Sequence, residues 1–193
     1  MSDNNLPAKS ELLIESDVSK NTKFSSDDET FMRRAIALAD LAQSHNEIPV
    51  GAVLVHNGKI IGEGFNQSIM NNDPSAHAEM MAIRDAGKNI ANYRLLDCTL
   101  YVTLEPCCMC AGLLVHSRIK QLVFASKDLK TGAAGSAFAL LNHQQHNHQV
   151  VVKSGLFAEE CSTMLSAFFK RRRAEKKAEK QAKRMMLSEP NKA

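Results

Sequence analysis

The dipeptide Asn57-Gly58 constrains this chain more than any other short stretch. It lies between two β-rich runs, residues 50–55 and 59–65. Asn-Gly is the favoured corner of a two-residue type I′ turn, because both central positions need positive φ. An antiparallel hairpin is therefore expected. Three further β-rich runs, at 100–104, 122–125 and 149–153, read as strands. Helical patterns alternate with them. Phe31, Ala35, Leu38, Ala39 and Ala42 recur at helical spacing, which predicts a helix over 27–44, opened by a capping box of Ser26 and Glu29. Further helices are predicted over 77–89 behind Asp73-Pro74-Ser75, over 107–117 behind Pro106, and from Ala158 onward. A short helical piece is expected at 138–141, with loops at 66–75 and 128–136. This order gives an α/β fold: a three-layer α/β/α sandwich around a mixed sheet of about five strands.

One domain accounts for most of the 193 residues. Apolar residues make up 44% and charged residues 23%, which excludes wholesale disorder. No apolar run reaches the roughly 18 residues a membrane helix needs, so no membrane partner is expected. Charge is unevenly spread. Residues 1–30 carry three Lys against seven Asp/Glu, residues 31–169 carry eleven of each sign, and residues 170–193 carry ten Lys/Arg against three Glu. The expected organisation is a disordered acidic leader over 1–25, a folded domain over 26–173, and a basic arm over 174–193, helical and then frayed before Leu187. On charge alone the arm suits a polyanionic partner or a merely solvated helix end. No secretory signal core precedes the domain, which places the chain in the cytoplasm, where its five Cys stay reduced.

Chemistry concentrates in two helix starts: His77-Ala78-Glu79, and Pro106-Cys107-Cys108-Met109-Cys110. Cys107 and Cys110, at i and i+3, share one face of a first helical turn. A helix N-terminus favours the thiolate. With His77 as a third ligand they suit zinc, leaving a fourth position for water, which is the pattern of catalytic rather than structural zinc. Glu79 is then the candidate proton carrier. Residues i and i+2 do not face each other on a helix, so His77 and Glu79 converge only if the helix points end-on at the metal. Taken singly, Cys-x-x-Cys also suits a redox pair or two core thiols, and His-x-Glu carries little information. Cys108 reads as a buried or neighbouring thiol, and Cys98 and Cys161 as core. His45, His56, His116 and the stretch from His143 to His148 read as surface or satisfied polar groups.

At these residues the chain resembles the zinc-dependent nucleobase deaminases, whose signature is His-x-Glu followed by Pro-Cys-x-x-Cys. Within that group it is similar to the bacterial tRNA adenosine deaminases over roughly residues 28–173. The stretches that carry the likeness include Pro49-Val50-Gly51-Ala52-Val53-Leu54, Asp73-Pro74-Ser75-Ala76-His77-Ala78-Glu79 and Lys130-Thr131-Gly132-Ala133-Ala134-Gly135-Ser136. The resemblance implies a cytidine-deaminase-like fold, one zinc per subunit on His77, Cys107 and Cys110, and Glu79 shuttling protons during attack of activated water on C6 of adenine. It implies base contact by Asn66, sugar contact by Asp128, a homodimer, and a substrate: the wobble adenosine of an arginine tRNA anticodon loop, converted to inosine. In that setting the basic arm becomes a phosphate-binding surface, with Arg172 on a phosphate and one of Phe168 and Phe169, assigned to Phe169, stacking on a base. Two other readings share the motifs: a deaminase of free cytosine, guanine or their nucleosides, and a non-catalytic RNA-binding zinc module. A small neutral base needs no basic arm, and a structural zinc site has no use for Glu79.

Overall fold

Asn57 and Gly58 take φ values of 48° and 72°. They close β1 (Gly51–His56) onto β2 (Lys59–Phe65) in the expected antiparallel hairpin. The computed structural model describes residues 23–188. Around the hairpin stand α1 (Ser26–Ser44), α2 (Ser68–Asn71), α3 (Ala78–Asn89), β3 (Thr99–Leu104), α4 (Cys108–His116), β4 (Gln121–Ser126), β5 (Val151–Ser154) and α5 (Ala158–Ser188). The five strands form one sheet in the order β2-β1-β3-β4-β5. β1 runs antiparallel to β2 and β3, whereas β3, β4 and β5 run parallel. The fold is the mixed, three-layer α/β/α sandwich expected.

Strand alternation sorts the core into two layers. Leu54, Leu100, Val102, Leu122 and Phe124 point to the face covered by α3 and α4. Val53, Val55, Tyr101, Val123 and Ala125 point to the face covered by α1 and the start of α5. Burial on both faces is why the central strands read as continuous apolar runs. On edge strand β2, Gly62 and Gly64 meet α3 directly. A Cβ at either would stand 2.3 Å from a carbonyl oxygen, of Ala82 and Ala78 respectively. Bare backbone there lets the first turn of α3 lie against the sheet, which fixes where His77 and Glu79 sit.

Four local expectations are corrected. The helix cap is Ser25, not Ser26. Ser25 Oγ accepts from the Asp28 N–H at 3.1 Å, and Asp28 Oδ2 accepts from the Ser25 N–H at 2.9 Å. The reason is tertiary: Asp28 Oδ1 also accepts from the Tyr101 hydroxyl of β3 at 2.7 Å, so the sheet selects the register. Within the expected loop 66–75, α2 forms because the buried Glu47 carboxylate accepts the N–H groups of Ile69 and Met70 at 2.7 and 2.8 Å. Residues 138–141 are not helical. The N–H groups of Phe138 and Leu140 bond back to the carbonyls of Gly132 and Ala133, and Ala134 bridges Ala139. Finally, α5 does not fray before Leu187 but continues to Ser188, carried by Ala, Glu, Lys and Arg propensity and by pairs such as Arg171–Glu175. The acidic leader lies almost wholly, and the last five residues of the arm lie wholly, outside the described residues. Among those described, no helix is long and apolar enough to cross a membrane.

The Tyr101–Asp28 contact sets a pH signature. Burial pushes the Asp28 carboxyl up, but the Ser25 N–H, the Tyr101 hydroxyl, the Ser25 hydroxyl and the Lys153 charge together hold it below its usual value. The Tyr101 phenol is pushed up, first by burial and then by Asp28. A depressed carboxyl contributes stability above the unfolded pKa of about 3.9 and loses it as pH falls through the folded value. A raised phenol contributes stability below about pH 10 and loses it as pH rises. Tyr101→Phe is expected to cost about 1–3 kcal/mol at pH 7 and to flatten the acid limb. Urea melts at pH 7 and pH 3 measure both; an unchanged acid limb would show that the tyrosine does not hold Asp28 ionised.

Candidate active site

His77 and Cys107 occupy equivalent places: each is the N-cap of its helix, α3 and α4, in extended backbone conformation. N-caps usually carry Ser, Thr, Asp or Asn, whose oxygens bind the helix N–H groups. Neither residue makes such a bond, which leaves both side chains free to face outward from the helix ends. Because His77 sits at the cap and Glu79 inside the first turn, the two converge end-on.

His77 Nδ1 lies 3.7 Å from Cys107 Sγ and 3.6 Å from Cys110 Sγ. Ligands held tetrahedrally at about 2.3 Å (sulfur) and 2.0–2.1 Å (nitrogen) stand roughly 3.5–3.8 Å apart. The donor set and its spacing therefore fit zinc. Among the described residues this is the one group of three His, Cys, Asp or Glu side chains so placed. Cys110 is fully buried, while His77 and Cys107 are half-buried and open to one side. The Cys110 thiol and the His77 ring hold the Cys107 thiol down at about 3. Sharing with Cys107, then burial, pushes Cys110 up. The Cys107 contact pushes His77 up. Glu79 is buried, and that burial raises its carboxyl above the ordinary value.

The open side faces a cavity of about 660 Å³. His77, Glu79, Cys107, Asn66, Asp128 and Phe169 all line it. Asn66 is buried, and its Oδ1 accepts from the Ala78 N–H at 2.9 Å, which leaves the amide NH2 as its free donor. Asp128 accepts from the Lys130 and Thr131 N–H groups at 2.9 and 3.1 Å and from the Thr131 hydroxyl at 2.6 Å. Burial pushes its carboxyl up, yet those donors and the Lys130 charge bring it below its usual value. Phe168 is buried and Phe169 is 42% exposed, so the expected division between the two holds. Arg172 is not brought to the cavity. It pairs with Glu175 at 2.8 Å, and the arginine in the wall is Arg173. Cys108 is exposed rather than buried, although it does miss the metal face. Cys98 and Cys161 are core thiols.

Glu105 is the residue that sequence reasoning missed. It is buried, between the end of β3 and the ligand Cys107. Its Oε1 accepts from the N–H groups of Ala134 and Ser136, both at 3.0 Å. Its Oε2 accepts from the Asp128 N–H at 3.1 Å and from the Ser136 hydroxyl. One carboxylate thus ties the loop 128–136 to the metal-ligand turn. Gly132 leaves the room: a Cβ there would stand 2.4 Å from the Glu105 carboxyl carbon. The one signal in the sequence is a lone carboxylate between Leu104 and Pro106, with a Gly/Ala loop downstream to supply N–H groups. Glu105→Gln points an NH2 at donors. It is expected to retain zinc but lower kcat/KM about 10²-fold by displacing the loop. Steady-state kinetics with metal analysis checks this, and unchanged kinetics would contradict it.

A thiolate–imidazole cradle capping two helices of this sandwich defines the zinc-binding cytidine and deoxycytidylate deaminase class, and residues 25–126 match that family's zinc-binding region. The tRNA-specific adenosine deaminase of Haemophilus influenzae is 60% identical over 154 residues, covering 79% of this chain and 89% of that protein. The Bacillus subtilis protein of the same name is 48% identical over 151 residues, covering 78% and 94%. A chain solved in studies of A-to-I editing by tRNA:A34 deaminases at the wobble position superposes with a TM-score of 0.68. It is 38% identical, and the match covers 70% of this chain and 98% of that one. Within the deaminase class, this chain belongs to the tRNA-specific adenosine deaminase family, and it is a zinc-dependent enzyme.

Proposed function

We propose that this enzyme converts the wobble adenosine of an arginine tRNA anticodon loop to inosine by hydrolytic deamination. The observation that carries the mechanism is the buried Glu79 carboxyl in the same cavity wall as His77 and Cys107. Zinc on His77, Cys107 and Cys110 supplies the acidity that makes water a nucleophile at neutral pH. Glu79, raised by burial, is poised to take the proton of the attacking water. It passes that proton to the adenine ring nitrogen, then takes the proton of the new C6 hydroxyl and hands it to the departing amine. Water's oxygen replaces nitrogen at C6, and ammonia leaves. The Asn66 amide holds the base, the Asp128 loop meets the sugar, and Phe169 stacks on a neighbouring base. Arg173, at the cavity wall in place of Arg172, takes the phosphate role there.

Single-stranded RNA is read by splaying and stacking bases, and this cavity suits that. Its lining includes Lys127, Lys130, Phe169 and Arg173, groups a free base has no use for. The working unit is a homodimer in the cytoplasm, with its active sites near the subunit interface. Incubation with unmodified arginine tRNA, followed by mass spectrometry of the nucleosides, is expected to show inosine at the first anticodon position. Unchanged adenosine with folded, zinc-loaded protein would overturn the reading.

A further inference from the structure

The cavity fixes the rotational phase of α5. Ser162, Leu165, Ser166, Phe169 and Arg173 line it, so the side of the helix that includes Arg173 faces the cavity. An α-helix turns about 100° per residue. On that count Lys176, Lys177, Lys180, Lys183 and Arg184 all fall within about 80° of Arg173, whereas Glu175 and Glu179 fall about 120–160° away. The basic arm is therefore one-sided, and its basic side prolongs the cavity wall. From Arg173 to Arg184 the row is about 16 Å long.

Its cations are uncommitted. Among the described residues, Arg171 and Arg172 on the other side both turn to Glu175, at 3.4 and 2.8 Å. None of the six in the row has an ion-pair partner among the described residues. A row of like charges on one helix face repels itself until a polyanion covers it. The chemistry of the row narrows that polyanion. Residues 170–193 contain no Phe, Tyr, Trp or His, so this surface lacks the aromatic platforms on which single-strand binders stack splayed bases. It offers four ammonium and two guanidinium groups in line, which suits phosphates of paired RNA, whose bases are hidden.

We propose that this face of α5 is a phosphate-binding rail for the paired stem that adjoins the single-stranded loop entering the cavity. The inference rests on the reading that an RNA base occupies that cavity. A variant of unchanged composition tests it. Lys176, Lys177 and Lys180 become Ala while Ala174, Ala178 and Ala182 become Lys, which rotates the charge without altering its sum. Zinc content and thermal melting establish that the variant is folded. With a full-length arginine tRNA, its Kd is expected to rise at least tenfold. The slope of log binding constant against log salt should become shallower by about 2, at roughly 0.7–0.9 per lost phosphate contact. A stemless oligonucleotide of the anticodon-loop sequence should bind both proteins alike. Equal tRNA affinity and slope for the two proteins overturns the rail, as does an equal loss on the stemless oligonucleotide. Binding is read without turnover. The expected contrast in a protein that forms no inosine therefore supports the rail and removes the deaminase reading instead.

Discussion

Glu79→Gln is expected to keep one zinc per subunit and to lose about 10²–10⁴ in kcat, the range a positioned acid–base group contributes. Glutamine preserves the volume of a buried side chain and leaves His77, Cys107 and Cys110 untouched. It removes a buried carboxyl in the wall that also holds His77 and Cys107. Desolvation is the first cause of the raised Glu79 carboxyl, and an amide neither takes up nor releases a proton near neutral pH. Binding of tRNA should change little, because the groups assigned to RNA are Asn66, the Asp128 loop, Phe169, Arg173 and the arm, all left intact. The effect should therefore fall on kcat rather than KM. Single-turnover kinetics with metal analysis separates the two. A variant that turns over normally would remove Glu79 from the chemistry.

His77→Ala is expected to have an effect of similar size for a different reason. It deletes one of three ligands whose mutual spacing, 3.6–3.7 Å from the imidazole nitrogen to the sulfurs, is that of a tetrahedral site. Zinc affinity should fall by more than the roughly 10–100-fold that loss of a supporting partner costs, and activity should fall to background. Cys108→Ser, one position along α4 from Cys107, is the matched control. Cys108 is exposed and outside the ligand group, so zinc and turnover should both be retained. Zinc retained without His77, or lost without Cys108, would mean the cradle is misassigned.

The parts of this molecule legible in the sequence are those whose signal is local. Asn57-Gly58 dictates its turn through backbone φ alone. Cys107 and Cys110 meet because i and i+3 share a helix face, and His77 joins them because both helices start at one end of the sheet. What stayed hidden depends on residues far apart in the chain. Glu105 bonds to N–H groups 23 to 31 positions downstream, and no periodicity announces that. The choice of Ser25 over Ser26 as cap follows from a tyrosine 73 positions away from Asp28. Residues 138–141 have helical composition, but their N–H groups find the carbonyls of Gly132 and Ala133 first. Arg173 and Arg172 differ by one residue, hence by about 100° around α5. Which of them meets the cavity is settled only by how the buried Cys161 and Phe168 seat the helix on the sheet.

In the proposed function, one metal ion held by His77, Cys107 and Cys110 beside Glu79 is what makes this cavity act on tRNA. Titrating chelator-stripped protein with zinc while counting inosines formed in arginine tRNA tests it most directly. Inosine formation should rise from near zero and level off at one equivalent per subunit. Full activity in the metal-stripped protein, or no inosine at any zinc level, would contradict it.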